Sequence, residues 1–105
     1  MKVFVAGPYT LGDIAVNVKN AIEAGLRLLD AGHDPYIPHL SHFMHLHSPR
    51  SYDTWVRIDN AFLRSCDALV RLPGESPGAE NEFVMAQAFN LLVYQSVDDF
   101  LEANP

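Results

Sequence analysis

Thirteen Asp and Glu side chains are spread along this chain, and two of them stand where an acid does not ordinarily belong. Asp59 lies within an apolar stripe that Trp55, Phe62 and Cys66 draw at helical spacing. Glu82 lies between Ala79 and Ala86 in the stripe of a later helical segment that also carries Phe83 and Phe89, with Glu80 at its margin and Asn81 facing away. Burying an ionised carboxylate costs several kcal/mol unless it is paired, against a net stability of about 5–15 kcal/mol for a whole domain. Either each acid is paired, with an Arg or a helix N-terminus, or the two serve chemistry. Paired carboxylates in an apolar pocket suit glycosyl transfer: one stays ionised and attacks or stabilises an anomeric carbon, while the other holds or relays a proton.

Three further stretches carry candidate binding groups. Gly7-Pro8-Tyr9 ends an apolar run in a turn that either is an ordinary connection or lets a ligand approach the backbone beside a phenol. Ser76-Pro77-Gly78 combines an N-cap hydroxyl, a proline at the first helical position and a helix N-terminus able to receive an anion. Gly78 weakens a helix so close to its start, but leaves space for a ligand. No Gly-Lys-Ser/Thr or GxGxxG sequence accompanies it. His39, His42, His45 and His47 crowd one stretch with Phe43, Met44 and Leu46. Their spacing lacks a His-Glu-x-x-His pattern or cysteine partners, so no metal or other cofactor is expected. A lid of imidazoles and aromatics over a base or sugar, or a packed structural loop, both remain open. His33, in a Gly-His-Asp turn, reads as a surface residue.

The elements that must position these groups alternate in kind. Val3–Ala6 is a buried strand. Apolar residues from Ile14 to Leu29 recur at helical spacing, with Asp13 at the start and Gly32 at the stop. Tyr36-Ile37 is a second strand, followed by a His-rich loop. A helix over Tyr52–Ser65, a strand over Ala68–Leu72, a helix from Ser76-Pro77 to about Asn90, a strand over Leu92–Tyr94 and a short helix over Val97–Leu101 complete the chain. Alternating strands and helices imply a three-layer, flavodoxin-like or Rossmann-like α/β sandwich around a four-stranded, or at most five-stranded, parallel sheet. Ligands bind beyond the carboxyl ends of such strands, where the three unusual stretches fall.

With 105 residues the chain reads as one domain, 1–105, large enough for a real core. A net charge of −6 without a Lys/Arg cluster argues against nucleic-acid polymers and anionic membranes as partners. A lone cysteine, Cys66, forms no intrachain disulfide and fits a reducing, cytoplasmic setting. No stretch reads as a secretory signal or a membrane span.

Ala6-Gly7-Pro8-Tyr9, the acids Asp59 and Asp67 around a helix end, and Ser76-x-Gly78-x-x-x-Glu82 together resemble the nucleoside 2-deoxyribosyltransferase superfamily, which includes 2'-deoxynucleoside 5'-monophosphate N-glycosidases. Pro38–Phe43 and Arg71–Ser76 are similar to a small, little-characterised bacterial and phage branch of it. The resemblance covers Lys2 to about Leu101. It implies Glu82 as nucleophile at C1' of the deoxyribose, Asp59 as handler of the proton on the departing base, and Tyr9 as the phenol that helps hold the nucleophile. Gly7, Pro8, His39, His42, His45, Trp55, Ser76 and Gly78 become the candidate substrate-binding residues. Deoxyribosyltransferases usually carry an Asp where Ser76 stands, and the monophosphate glycosidases a Ser. An Asp repels a phosphate that a hydroxyl and helix amides would hold, so Ser76 tilts the reading towards a nucleotide and hydrolysis. The first loop, Tyr9–Asp13, departs from the glycosidases in having no basic residue. The implied partners are a small-molecule nucleoside or nucleotide and a second copy of the chain, as homodimer or higher homo-oligomer. The alternative is a non-catalytic nucleotide-binding or sensor domain that keeps the same pocket.

Overall fold

The computed structural model describes residues 1–105. Four strands, β1 (Lys2–Ala6), β2 (Asp34–Tyr36), β3 (Ala68–Arg71) and β4 (Leu92–Tyr94), pair in parallel in the order β2-β1-β3-β4. Five helices connect or follow them: α1 (Ile14–Asp30), α2 (Ser41–His47), α3 (Tyr52–Leu63), α4 (Pro77–Ala88) and α5 (Val97–Ala103). Side chains alternate across the pleat. Val3, Val5 and Val70 therefore meet Ala21, Ala24 and Leu28 of α1 and Val97 and Phe100 of α5 on one face. Phe4, Ala6 and Leu69 meet Leu63 of α3 and Ala79 and Ala86 of α4 on the other. This is the flavodoxin-like three-layer arrangement, with four strands. No helix is long and apolar enough to cross a membrane.

Local chemistry fixes the element ends. Asp13 caps α1 by accepting from the Val16 amide, and Ser96 caps α5 through Asp99. At the far end of α1, Gly32 takes φ +89 while His33 and Gly32 donate back to Leu28 and Leu29. At the end of α4, Asn90 is the one non-glycine residue at positive φ, and Leu91 and Asn90 donate back to Ala86 and Gln87. Both are Schellman terminations. Pro35 sits inside β2, which a parallel sheet tolerates because β2 is an edge.

Three expectations are corrected. The His-rich stretch is not a loop: Pro38 opens a 3-10 turn to Leu40, and α2 follows directly. No glycine or proline interrupts residues 39–48, so helical backbone continues although α2 buries no residue. The buried face of α3 is not Trp55–Phe62. Only its last turn reaches the core, through Leu63, while Phe62 stays half exposed, stacked on Tyr36 with ring centroids 4.7 Å apart. His33 is not a surface residue. It is buried edge-on against Phe100, with one nitrogen on the amino terminus and the other on the Asn104 carbonyl.

Candidate functional site

The chain leaves β1 towards α1 on one face and leaves β3 towards α4 on the other. A crevice therefore opens between the carboxyl ends of these two neighbouring strands. The β3–α4 turn is held rigidly there. Arg71 is buried, and its guanidinium donates to Glu80 at 2.9–3.0 Å, to the Gly74 carbonyl at 2.9 Å and to the Leu72 carbonyl. Gly74, at φ +113, packs so closely on Pro8 that an added Cβ would come within 2.8 Å of the proline ring. The loops after β1 and β3 are thereby locked together.

Beyond them lies a cavity of about 810 Å³, walled by the Gly7–Leu11 loop, the 3-10 turn, α2, the residues around Arg50, α3 and the first two turns of α4. Gly7, Tyr9, His39, His45, Trp55, Asp59, Ser76, Gly78 and Glu82, all singled out above, line it. Pro8 and His42 do not. Pro8 instead offers its carbonyl to His39 Nε2 at 2.8 Å, and His42 Nδ1 is hydrogen-bonded to the Tyr9 hydroxyl at 2.6 Å. These two residues hold lining residues rather than forming the wall.

Asp59 and Glu82 reach the same cavity by the same device. On α3, Val56, Asp59, Asn60 and Leu63 follow the i, i+3, i+4, i+7 spacing. On α4, Ala79, Glu82, Phe83 and Ala86 repeat it. Each stripe is anchored in the second core by its apolar members, Leu63 and Ala79 with Ala86. Each therefore points its acid along the anchored face into the cavity. Neither carboxylate has a salt bridge or a hydrogen bond, so the pairing explanation for their placement does not hold. Burial pushes Asp59 up to about 6. Burial, with the added repulsion of Asp59, pushes Glu82 up to about 8 against a smaller pull from Arg71. Tyr36, beneath them, is raised to about 12 by burial and by the charges of Asp59, Cys66 and Glu82.

Other candidates take more specific forms than their residue types implied. Ser76 is the N-cap of α4, accepting from the Ala79 amide at 3.1 Å, and its hydroxyl proton remains free for the cavity. Gly7 is explained by packing, since an added Cβ would sit 3.0 Å from Leu72. Gly78 is not: an added Cβ there would meet only the Tyr52 hydroxyl, at an ordinary 3.5 Å. The Tyr9 hydroxyl contacts His42 and not Glu82. Burial raises its pKa and lowers that of His39, whose Nδ1 is buried without a partner. Asp67 lies at the opposite, amino-terminal edge of the sheet, where it accepts from the Lys2 amide at 2.8 Å, and takes no part in the site. No three His, Cys, Asp or Glu side chains converge as metal ligands. His39, His42 and His45 are instead each engaged with a different protein group.

The wall also holds residues the sequence did not single out, chiefly Arg50, Tyr52 and Asn60, and it holds Asn81, which the helical spacing had placed facing away. Arg50 is the only Lys or Arg among the lining residues. Its signal was available: it is the single Lys or Arg between Arg27 and Arg57, immediately after Ser48-Pro49.

The fold has solved counterparts. A 2-deoxyribosyltransferase from the psychrotolerant bacterium Bacillus psychrosaccharolyticus is similar at a TM-score of 0.66 and 16% identity, over 91% of this chain and 74% of that one. A 2-deoxyribosyltransferase from Leishmania mexicana is similar at a TM-score of 0.67 and 16% identity, over 90% of this chain but only 63% of its own. This chain thus spans less than two-thirds of the second neighbour's length. At such identity the likeness shows a common fold. No curated protein matches the chain in sequence. A family profile does match, over residues 1–95, and the chain belongs to that family, DUF7768, described as a domain of unknown function.

Proposed function

We propose that this domain cleaves or exchanges the N-glycosidic bond of a deoxynucleoside or its 5'-monophosphate. The observation that carries the reading is the pair of unpartnered carboxylates, Asp59 and Glu82, facing one cavity large enough for a nucleoside. One of the fold neighbours is described as a biocatalyst for nucleoside synthesis, which supports the substrate class.

In this reading a Glu82 oxygen attacks C1' of the sugar. The C1'–N bond breaks, its electron pair stays on the base, and the Asp59 carboxyl supplies the proton the base takes with it. The resulting sugar–Glu82 ester is opened by water, whose proton returns to Asp59, or by the nitrogen of a second base. The cycle thus starts with one proton on the pair, carried by Asp59, and passes through an ester in which Asp59 is ionised and ready to take a proton from water. Tyr9 is held by His42; with His42 donating to the phenol oxygen, the phenol proton is left free for the cavity that Tyr9 and Glu82 both line. Ser76 and the α4 amides are available to a 5'-phosphate, and Arg50 supplies the positive charge that the first loop lacks. The working unit is a homodimer or higher homo-oligomer.

A second reading is a nucleotide-binding domain without turnover. It is favoured by one observation: Glu82 is the carboxyl more strongly held neutral, the reverse of what a nucleophile needs. Base release followed by chromatography, from deoxynucleosides and their 5'-monophosphates with and without a second free base, separates the readings. Release that disappears in Glu82→Gln while ligand binding persists supports the enzyme. Binding without release by the wild-type protein supports the second reading. Folded protein that neither binds nor turns over any member of the panel overturns both.

A further inference from the structure

His45 is fixed in one tautomer by two groups that can only donate. The Trp55 indole N–H donates to His45 Nδ1 at 3.0 Å, and the Arg50 backbone N–H approaches the same nitrogen at 3.3 Å. Nδ1 therefore carries a lone pair and no proton, so the ring's one N–H lies on Nε2. The Trp55 ring meets the imidazole edge-on, with centroids 5.9 Å apart, and restrains its rotation. Nε2 has no hydrogen-bond partner in the protein, and the ring lines the same cavity as Asp59 and Glu82. Neutral histidines usually present either nitrogen to a ligand; this one presents only a donor.

Resting on the glycosidic reading, we propose that His45 Nε2–H is the specificity-determining donor for the leaving base, bonding a carbonyl oxygen or ring nitrogen lone pair on it. Both carboxylates in the cavity act as acceptors once ionised. A base acceptor brought near them needs a donor of its own, and Nε2–H supplies one from α2. The bond gains strength during reaction, because the breaking C1'–N bond leaves its electron pair on the base and raises the electron density at the acceptor. His45 gives up no proton in the process. A second tautomer would require the Trp55 and Arg50 bonds to break, so proton delivery stays with Asp59.

The test uses Glu82→Gln protein, expected on the glycosidic reading to bind without turnover, labelled with 15N at the imidazoles. Nitrogen shifts report the tautomer before any ligand is added. The Nε2 proton is then followed while the four common 2'-deoxynucleosides and their 5'-monophosphates are titrated. The expected free protein has His45 protonated at Nε2 alone, and the binding members of the panel move that proton downfield. His45→Phe weakens their binding about tenfold, and His45→Gln, whose amide still donates, recovers most of it. Trp55→Phe leaves the fold intact but lets the His45 tautomers mix. An Nδ1-protonated or doubly protonated ring in the free protein overturns the assignment. So does binding that His45→Phe leaves unchanged, in which case the glycosidic reading stands without it. A panel that does not bind at all overturns the glycosidic reading itself, and this inference with it.

Discussion

A carboxylate buried without a partner is ordinarily neutral near pH 7, and two of them side by side resist ionising together. Asp59, raised to about 6, and Glu82, raised to about 8, therefore hold a single proton between them across the intervening range. The two values belong to the pair rather than to either residue. Of the two, Glu82 is the more strongly raised. In the proposed mechanism attack on a sugar needs the shared proton on Asp59, and placing it there requires none from solvent. Below about 6 both groups are neutral and no nucleophile exists; above about 8 both are ionised and the base has no acid. The predicted kcat/KM profile is a bell with its plateau between those limits. Asp59→Asn should lower kcat by about 10²–10⁴ on ordinary deoxynucleosides, the usual value of a positioned acid. It should lower it far less on an N7-methylated purine deoxynucleoside, whose base departs without a proton. Equal losses on both substrates would remove Asp59 from the proton path.

At the scale of elements, α4 is the one whose sequence and geometry disagree. Its Ser76-Pro77 start is a strong one, yet Gly78 follows in the first turn with no steric obligation to be glycine. Alanine there should stabilise the helix by about 0.5–1 kcal/mol. If the open space serves a ligand, Gly78→Ala should raise the melting temperature and weaken nucleotide binding at once. A gain in stability with unchanged affinity would mark Gly78 as incidental. The larger pattern was legible because each change of apolar period falls at a turn residue, and Asp59 and Glu82 were legible as acids at apolar spacing. The stripe assigned to α3 was wrong in detail: Trp55 and Phe62 are large, but Leu63 and Val56 define the inward face. Residue size misleads where a helix touches the core only at its last turn. The helicity of 41–47 was hidden because three histidines on a short, uncapped segment carry no amphipathic period. The Tyr9–His42 and Trp55–His45 bonds depend on that helix, so they could not be read before its backbone was known.

For the whole molecule, the two acids make the site a source of instability whose sign follows from their shifts. Both bind protons more tightly in the folded domain than in the unfolded chain, Asp59 rising from 3.8 to about 6 and Glu82 from 4.5 to about 8. Well below 3.8, both states are largely protonated and the difference is small. As pH rises, the unfolded chain ionises first and is favoured, so folding stability falls through the interval up to about 8 and then levels. Glu82→Gln removes the larger of the two shifts without leaving a cavity. It should be nearly neutral at pH 4 and stabilising at pH 8 by about 1–3 kcal/mol, less than the full shift implies because the side chain is not wholly buried. In a domain of this size that is a rise of about 4–8 °C in melting temperature for each kcal/mol. Thermal unfolding of wild type and variant at several pH values gives the difference directly. A variant that is less stable than wild type, or whose advantage does not grow with pH, would mean that Glu82 is charged and held by a partner. The apolar cavity would then be a structural feature rather than a site. A growing advantage, with turnover lost, would mean that this small domain keeps a destabilising acid because its chemistry depends on it.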